Sequence, residues 1–241
     1  MKIARLPLLL AVLALLVLLA GGPGYRFGLW GLDFGLRGAL QYGLFAGVAA
    51  AGLAIALLFM RKQRRAHGGK LAAAIVLGLL PMALFAWLLT TAGNHPIHEI
   101  TTDLEDPPRF DAVRPLRADA ANPAAYGGAE TAAAQRELYP DIAPLETGAS
   151  TRRVFEAALA VARDRGWEIV AAEPGNRRIE ATETTFWYGF KDDVVIRISD
   201  SGGGSRVDMR SKSRVGRSDL GENAERVRGF LADVERRLGS N

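Results

Sequence analysis

Two histidines and two aspartates in one short segment are the residues whose types and spacing best suit metal chemistry. His95 and His98 lie three residues apart, and Asp103 and Asp106 follow a few residues later. Imidazole and carboxylate groups are both ligands that Zn²⁺ accepts. The spacing matches no strong zinc motif, however, and Pro96 prevents a regular helix from aligning the two histidines. We therefore expect no metal here, and a loop whose side chains bond to backbone groups is the simpler interpretation.

Nucleophilic catalysis has few of its usual components in this sequence. The chain has no cysteine and no Gly-x-Ser-x-Gly elbow, and its C-terminal part has only His95 and His98 to act as a base. We expect no catalytic residue and no cofactor. The open alternative is a hydrolase-like or metal-dependent enzyme that uses residues 95–106.

A second group of residues could bind an anion. Arg214, Arg217 and Ser218 precede a helix predicted to begin at Asp219, where free backbone N–H groups favour negative charge. On the strand before them, alternation predicts a basic row on the outward face. That row consists of Arg206, Arg210, Lys212 and Arg214. The alternative is that Asp219 already occupies the helix start.

Trp187 and Tyr188 belong to an aromatic cluster that could supply a stacking wall for the same ligand. We therefore expect a ligand site formed by Arg214, Arg217, Ser218, Trp187 and Tyr188. Its partner would be an anionic lipid, a glycan or an envelope protein. If the aromatic residues belong to the core instead, the site loses its wall.

The elements that must position these residues are predicted from periodicity over residues 150–241. Apolar residues at helical spacing predict a helix from Ser150 or Thr151 to about Arg165, ended by Gly166, and a second helix from Asp219. Alternation and turn residues predict four strands, at 167–173, 178–187, 193–199 and 206–214. The order predicts an α+β fold, a four-stranded antiparallel meander covered on one face by two helices.

Residues 94–149 are rich in proline and aspartate, and their prolines interrupt any long helix. We predict an extended segment that wraps over the folded unit, with one short helix near residues 130–138.

Residues 1–93 are predicted to be a transmembrane anchor of about three helices, at about 6–22, 38–60 and 71–91. The second and third contain no charged residue and are long enough to cross a hydrocarbon core. The first is shorter and follows a basic start, so a cleaved signal peptide is the alternative. Lys and Arg outnumber acids nine to one in this part.

The segment 61–70 carries five basic residues in ten. The positive-inside rule places it in the cytoplasm, which puts the C-terminal domain on the periplasmic side of a bacterial inner membrane. The remaining residues hold 21 Lys and Arg against 25 acids, so no basic domain exists to bind nucleic acid.

Three blocks of the sequence resemble the motifs of a family, the domain of unknown function 1499. They are Ile97–Phe110, Asp192–Ile198 and Arg210–Asn223, in that order. The resemblance covers nearly all of residues 94–241. It implies a bacterial envelope protein, and it implies no reaction, cofactor or catalytic residue.

We expect a membrane-anchored, non-enzymatic binding or assembly module that faces the periplasm. The enzyme that uses residues 95–106 is the first alternative. An accessory subunit of a membrane complex, contacted through its spans, is the second.

Overall fold

The computed structural model describes residues 3–239, and its contacts divide the chain into two compact units. The helical unit contains the residues up to Thr91 together with Phe186–Gly189, and the outer unit contains Ala92–Thr185 and the residues from Phe190 onward.

The helical unit consists of three helices that are long and apolar enough to cross a membrane. They are α1 (Leu6–Arg26), α2 (Ala39–Phe59) and α3 (Arg61–Asn94). The basic segment 61–70, expected to be a loop, is helical, since Arg, Lys, Gln and Ala are good helix formers. It meets the apolar part of α3 at a kink, where His67 leaves helical geometry.

Small residues allow α2 and α3 to approach closely. A Cβ atom on Gly47 would collide with the backbone oxygen of Gly78, and the reverse also holds. Only glycine fits at this crossing, which is typical of helix packing in membranes.

The outer unit is α+β, with a six-stranded antiparallel sheet. In chain order its elements are β1 (Glu99–Thr101), α4 (Gly128–Leu138), β2 (Leu145–Thr147), α5 (Thr151–Asp164), β3 (Glu168–Glu173), β4 (Arg178–Thr184), β5 (Lys191–Ser201), β6 (Gly204–Ser213) and α6 (Glu222–Gly239). The strand order is β1-β6-β5-β4-β3, and β2 also pairs with β6.

The predicted four strands were too few. β3–β6 form the expected meander, but β1 and β2 add two short strands to the outer edge of β6, opposite residues 210–212 and 205–207. Both come from the segment expected only to wrap over the domain. Three residues are too few to show an alternating pattern, so the sequence gives no signal for them.

One face of the sheet packs against α5 and α6 around an apolar core. The predicted apolar positions Val154, Phe155, Val227 and Val234 are all buried there. Ser150 caps α5, as predicted, and Gly166 ends it with a positive φ of 74°.

One predicted boundary was wrong, because β4 ends at Thr184 instead of continuing to Trp187. The last helix, predicted to start near Asp219, is α6 and begins at Glu222. Residues 185–190 leave the sheet as a connection between β4 and β5. Asp219 lies just before the helix and caps it, since its carboxylate accepts from the Asn223 N–H.

Candidate functional site

The opposite face of the sheet carries mainly charged side chains, with the buried Val195 among them, and we call it the charged face. Its charged residues are Glu99, Arg178, Glu180, Asp193, Arg197, Arg206, Asp208, Arg210, Lys212 and Arg214. Residues 102–127, here called the covering segment, make many of its contacts. Arg210 is 2% exposed and Lys212 is 3% exposed. The expected outward basic row is therefore wrong at these two positions, because the segment covers the face that alternation correctly separates from the apolar core.

Glu99 on β1 neutralises the two most deeply buried cations of this face. Its carboxylate accepts from Arg210 Nε and, at 3.0 Å, from Lys212 Nζ. The remaining donors reach backbone carbonyls of the covering segment, with Arg210 bonded to Pro108 and Ala124. Burial holds the pKa of Lys212 below its ordinary value. The charges of this cluster are thus consumed by internal partners.

Asp193 is the centre of a second cluster. It is fully buried and accepts from Arg117 Nη1 at 2.7 Å, Arg214 Nη2 at 2.8 Å and Thr182 Oγ1 at 2.7 Å. Burial alone would raise the pKa of this carboxyl, but the hydrogen bonds from Arg214 and Thr182 outweigh it and the pKa is lowered. Arg214 also donates to the Leu116 carbonyl, so the predicted ligand-binding guanidinium already has partners.

Glu180 holds the covering segment by its backbone. Its carboxylate accepts from three consecutive N–H groups, those of Asp111, Ala112 and Val113, at distances between 2.9 and 3.0 Å. Arg178 Nε donates to the same carboxylate at 2.9 Å. Sequence reasoning missed this contact because its donors are main-chain groups, which leave no trace in residue type.

The two aspartates of the proposed metal segment pair with arginines. Arg197 contacts Asp103 at 3.0 Å and Asp106 at 2.7 Å. Burial would raise the pKa of Asp103, but backbone hydrogen bonds from Asp106 and Glu105 and the charge of Arg197 together lower it. Asp103 thus closes a turn and binds a neighbouring strand.

The two histidines have separate partners. His95 Nδ1 lies 2.5 Å from the Tyr139 hydroxyl, and their rings stack. His98 Nδ1 lies 3.4 Å from the Arg217 carbonyl oxygen, and burial lowers the pKa of His98. Over residues 3–239, no three His, Cys, Asp or Glu side chains form a group suited to a metal ion.

The start of α6 is already satisfied by its own sequence. Asp219 accepts from the N–H groups of Gly221 and Asn223, at 2.8 and 3.0 Å, and Ser218 Oγ accepts from the Leu220 N–H. The open backbone donors that an anion would use are therefore occupied here. The Arg217 side chain is exposed and makes no hydrogen bond or ion pair with any described residue.

The five predicted ligand residues fall into two groups. Arg214, Arg217 and Ser218 belong to the outer unit, whereas Trp187 and Tyr188 belong to the helical unit as divided above. Neither aromatic residue is part of the apolar core of the outer unit.

A polar cleft of about 280 Å³ opens at one border of the charged face. Its lining is Pro108, Arg109, Asp111, Glu173, Asn176, Arg178, Val195 and Arg197. Arg178 and Arg197 are neutralised by acids, as described above. The exposed Arg109 side chain has no ion-pair or hydrogen-bond partner in the part of the chain that the structure describes.

A further buried arginine, Arg226 on α6, joins the helices to the sheet. Its guanidinium contacts Asp192 at 2.7 Å and Ser211 Oγ at 3.1 Å. Asn223, one helical turn earlier, donates to the His98 carbonyl at 3.0 Å. These contacts connect β1, β5, β6 and α6 across the end of the sheet.

The residues that make these contacts come mainly from the three sequence blocks. Glu99, Asp193 and Arg210 each belong to a different block, and each lies in a buried cluster. A family model described as "Protein of unknown function (DUF1499)" matches residues 99–234, which is more than half of the chain. Comparison with curated proteins gives no significant match.

Proposed function

The chain belongs to the DUF1499 family, and we propose that it is a membrane-anchored, non-enzymatic binding or assembly module with its outer unit in the periplasm. The observation that carries this proposal is that the side chains of the three motifs are already bonded within the outer unit. Their carboxylates, guanidinium groups and histidines bond to one another and to backbone groups. Such a network positions a rigid surface and leaves few groups for acid–base or nucleophilic chemistry.

The anchoring part of the proposal rests on α1, α2 and α3 and on the basic residues at the start of α3. Each helix is long and apolar enough to span a bilayer. The basic residues of segment 61–70, at the start of α3, favour the cytoplasmic side, as Lys and Arg beside a membrane span do. With α3 directed outward, the residues after Asn94 lie on the periplasmic side of a bacterial inner membrane.

The binding part rests on Arg217 and Arg109, two of the exposed arginines of the outer unit whose side chains have no partner among the described residues. A free guanidinium group presents several donors to a phosphate or carboxylate. The partner we propose is an anionic component of the envelope, a lipid phosphate or an acidic glycan. Arg214, which the sequence also suggested, supports the neighbouring backbone through Asp193 and Leu116 instead of meeting the ligand.

Reporter fusions test the orientation. We expect a periplasm-active phosphatase fused after Asn241 to be active, and the same reporter inserted at His67 to be inactive. A cytoplasm-active reporter at the same two positions should give the opposite pattern. If the phosphatase works at His67 and fails after Asn241, the proposed location is wrong.

Thermal unfolding of the purified full chain tests the anionic partner. Glycerol phosphate and an oligogalacturonate represent the two sources, and we expect one of them to raise the melting temperature. Arg217 and Arg109 lie near opposite ends of the sheet, so one of the variants Arg217→Ala and Arg109→Ala should remove that shift while the other serves as its control. Neither should change the melting temperature of the unliganded protein by more than about 2 °C. No shift with either compound contradicts the anionic partner.

Metal analysis of the same preparation distinguishes a metal-dependent enzyme from the proposed non-enzymatic module. Stoichiometric zinc, with a melting temperature that a chelator lowers, would favour an enzyme that uses His95, His98, Asp103 and Asp106. It would also contradict the arrangement in which those side chains bond to Tyr139 and Arg197.

A further inference from the structure

The connection between β4 and β5 exposes aromatic side chains at the end of the sheet. We call residues 186–190 the aromatic loop; its sequence is Phe-Trp-Tyr-Gly-Phe. Phe186 is 83% exposed and Trp187 is 43% exposed. Among the described residues that follow α3, the only other large apolar side chain with such exposure is Leu116. Two adjacent exposed aromatic rings form a concentrated apolar surface that water solvates poorly.

The composition of the loop fits one particular environment. Tryptophan and tyrosine are enriched where a membrane meets water, because each combines a large apolar ring with a polar group. The loop offers both of them between two phenylalanines. Phe186–Gly189 belong to the helical unit, although the strands on either side of them belong to the outer unit.

The register of the sheet determines which end of it carries the loop. Glu99 at the start of β1 lies opposite Lys212, and Lys212 lies opposite Asp193 near the start of β5. The aromatic loop leads directly into β5. It therefore lies at the same end of the sheet as the first residue of β1, whereas the turns at 174–177 and 202–203 lie at the other end.

Chain connectivity limits how far that end can move from α3. Only four residues separate Asn94, the last residue of α3, from Glu99. Even a fully extended connection of that length spans at most about 18 Å. β1 and β5 are separated by β6 alone, and neighbouring strands lie about 4.8 Å apart. If α3 crosses the membrane, the loop therefore stays within a few tens of ångströms of the bilayer surface.

We propose that the aromatic loop inserts into the headgroup layer of the membrane that holds α1–α3, as a membrane contact additional to those three helices. This inference rests on the proposed anchoring of the chain. Phe186 and Trp187 would enter the boundary between headgroups and acyl chains. Asn176, in the exposed turn at the other end of the sheet, would remain in water.

Depth measurements on single-cysteine variants of the full chain test this inference. The chain has no cysteine, so each introduced thiol can carry a spin label without background. The variants are Phe186→Cys in the loop, Asn176→Cys in the exposed turn at the other end, and Val76→Cys on the exposed side of α3. Each is reconstituted in vesicles of phosphatidylethanolamine and phosphatidylglycerol, and its collisions with oxygen and with a water-soluble nickel chelate are compared.

We expect the Val76 label to collide with oxygen and not with nickel, and the Asn176 label to show the reverse. The Phe186 label should show nickel accessibility at least several-fold below that of Asn176, with high oxygen accessibility. A Phe186 label as accessible to nickel as the Asn176 label, with Val76 in the acyl region, overturns the inference and leaves the anchor intact. A Val76 label that meets nickel overturns the anchor as well. A Phe186 label shielded from both reagents overturns lipid insertion, because protein then covers the loop.

Discussion

At Asp193 two arginines and a threonine converge on one carboxylate that has no contact with water. The attraction between these charges acts in a medium of low polarity, and removing one partner leaves an expensive buried charge. At Arg217, one short loop later, the same kind of side chain has no partner and remains exposed. The position of an arginine, more than its type, therefore decides what it contributes to stability.

Replacing these two arginines in parallel tests that difference. We expect Arg214→Ala to lower the free energy of unfolding by about 3 kcal/mol, because Asp193 loses a buried partner. Arg217→Ala should change it by less than about 0.5 kcal/mol, as exposed substitutions usually do. Denaturant titrations of both variants give the two values. Equal losses would mean that Arg217 also has a structural role.

Acid should weaken the outer unit through the carboxylates whose pKa is lowered. The folded pKa values of Asp103 and Asp193 lie below the ordinary value of 3.8, so their contribution is complete above that value and is lost as the pH falls through the folded pKa. We expect a small loss of stability between about pH 7 and about pH 5, because the lowered pKa of His98 lets the unfolded chain bind that proton first, and a larger loss below about pH 4.

The variant Asp103→Asn measures how much one carboxylate contributes to the dependence of stability on pH. The variant should be less stable than the unmodified protein at neutral pH, and the difference should shrink as the pH falls, because the unmodified side chain becomes neutral too. Denaturant titrations at several pH values measure it. A difference that stays constant down to about pH 2 contradicts a charge effect.

The covering segment is the element that converts an ordinary sheet into one with two buried faces. Arg117 is its main contact, since its guanidinium reaches Asp193, the carbonyls of Lys212 and Ser213, and the carbonyl of Asn122. The segment contains little regular structure of its own. Its order depends on such contacts between side chains and backbone.

Arg117→Met should therefore loosen the segment selectively. We expect faster amide exchange and proteolytic cleavage within residues 102–127, with a stability loss of about 3 kcal/mol. Arg114→Met is the matched control, because Arg114 lies on the same turn but is exposed. Exchange that rises uniformly over the outer unit would show that Arg117 supports the whole domain.

Elements longer than about six residues could be predicted from the sequence because their periodicity is visible. β5, β6 and α5 have the expected faces, and only their ends differ by a few residues. The covered charged face could not be predicted. Alternation places Arg210 and Met209 on opposite faces. Glu99, the partner of Arg210, is 111 residues away, and no local sequence pattern connects Arg210 with Glu99.

The ligand site could be predicted only in part, because the bonds that occupy its residues are not visible in the local sequence pattern. Ser218 and Asp219 were correctly suspected at a helix start, yet their own hydrogen bonds occupy it. Arg214 and Arg217 look equivalent as sequence, and only the fold distinguishes the paired guanidinium from the free one.

At the scale of the whole molecule, the outer unit has its own core and should fold without α1–α3. We expect residues 92–241, expressed alone, to be soluble and to unfold in one cooperative transition, as small domains usually do. Far-ultraviolet circular dichroism and tryptophan fluorescence should report the same midpoint. Two separate midpoints would mean that the covering segment and the sheet unfold independently.

The position of Glu99 in the chain has a consequence for the order of folding. A ribosome makes β1 and the covering segment before β6, whose Arg210 and Lys212 neutralise Glu99 across separations of 111 and 113 residues. Contacts so distant in sequence give a high contact order, which slows folding. In the nascent chain, β1 and the covering segment therefore stay unpaired until β6 has been made. A chaperone that protects them has to remain bound until the C-terminal third of the chain has been synthesised.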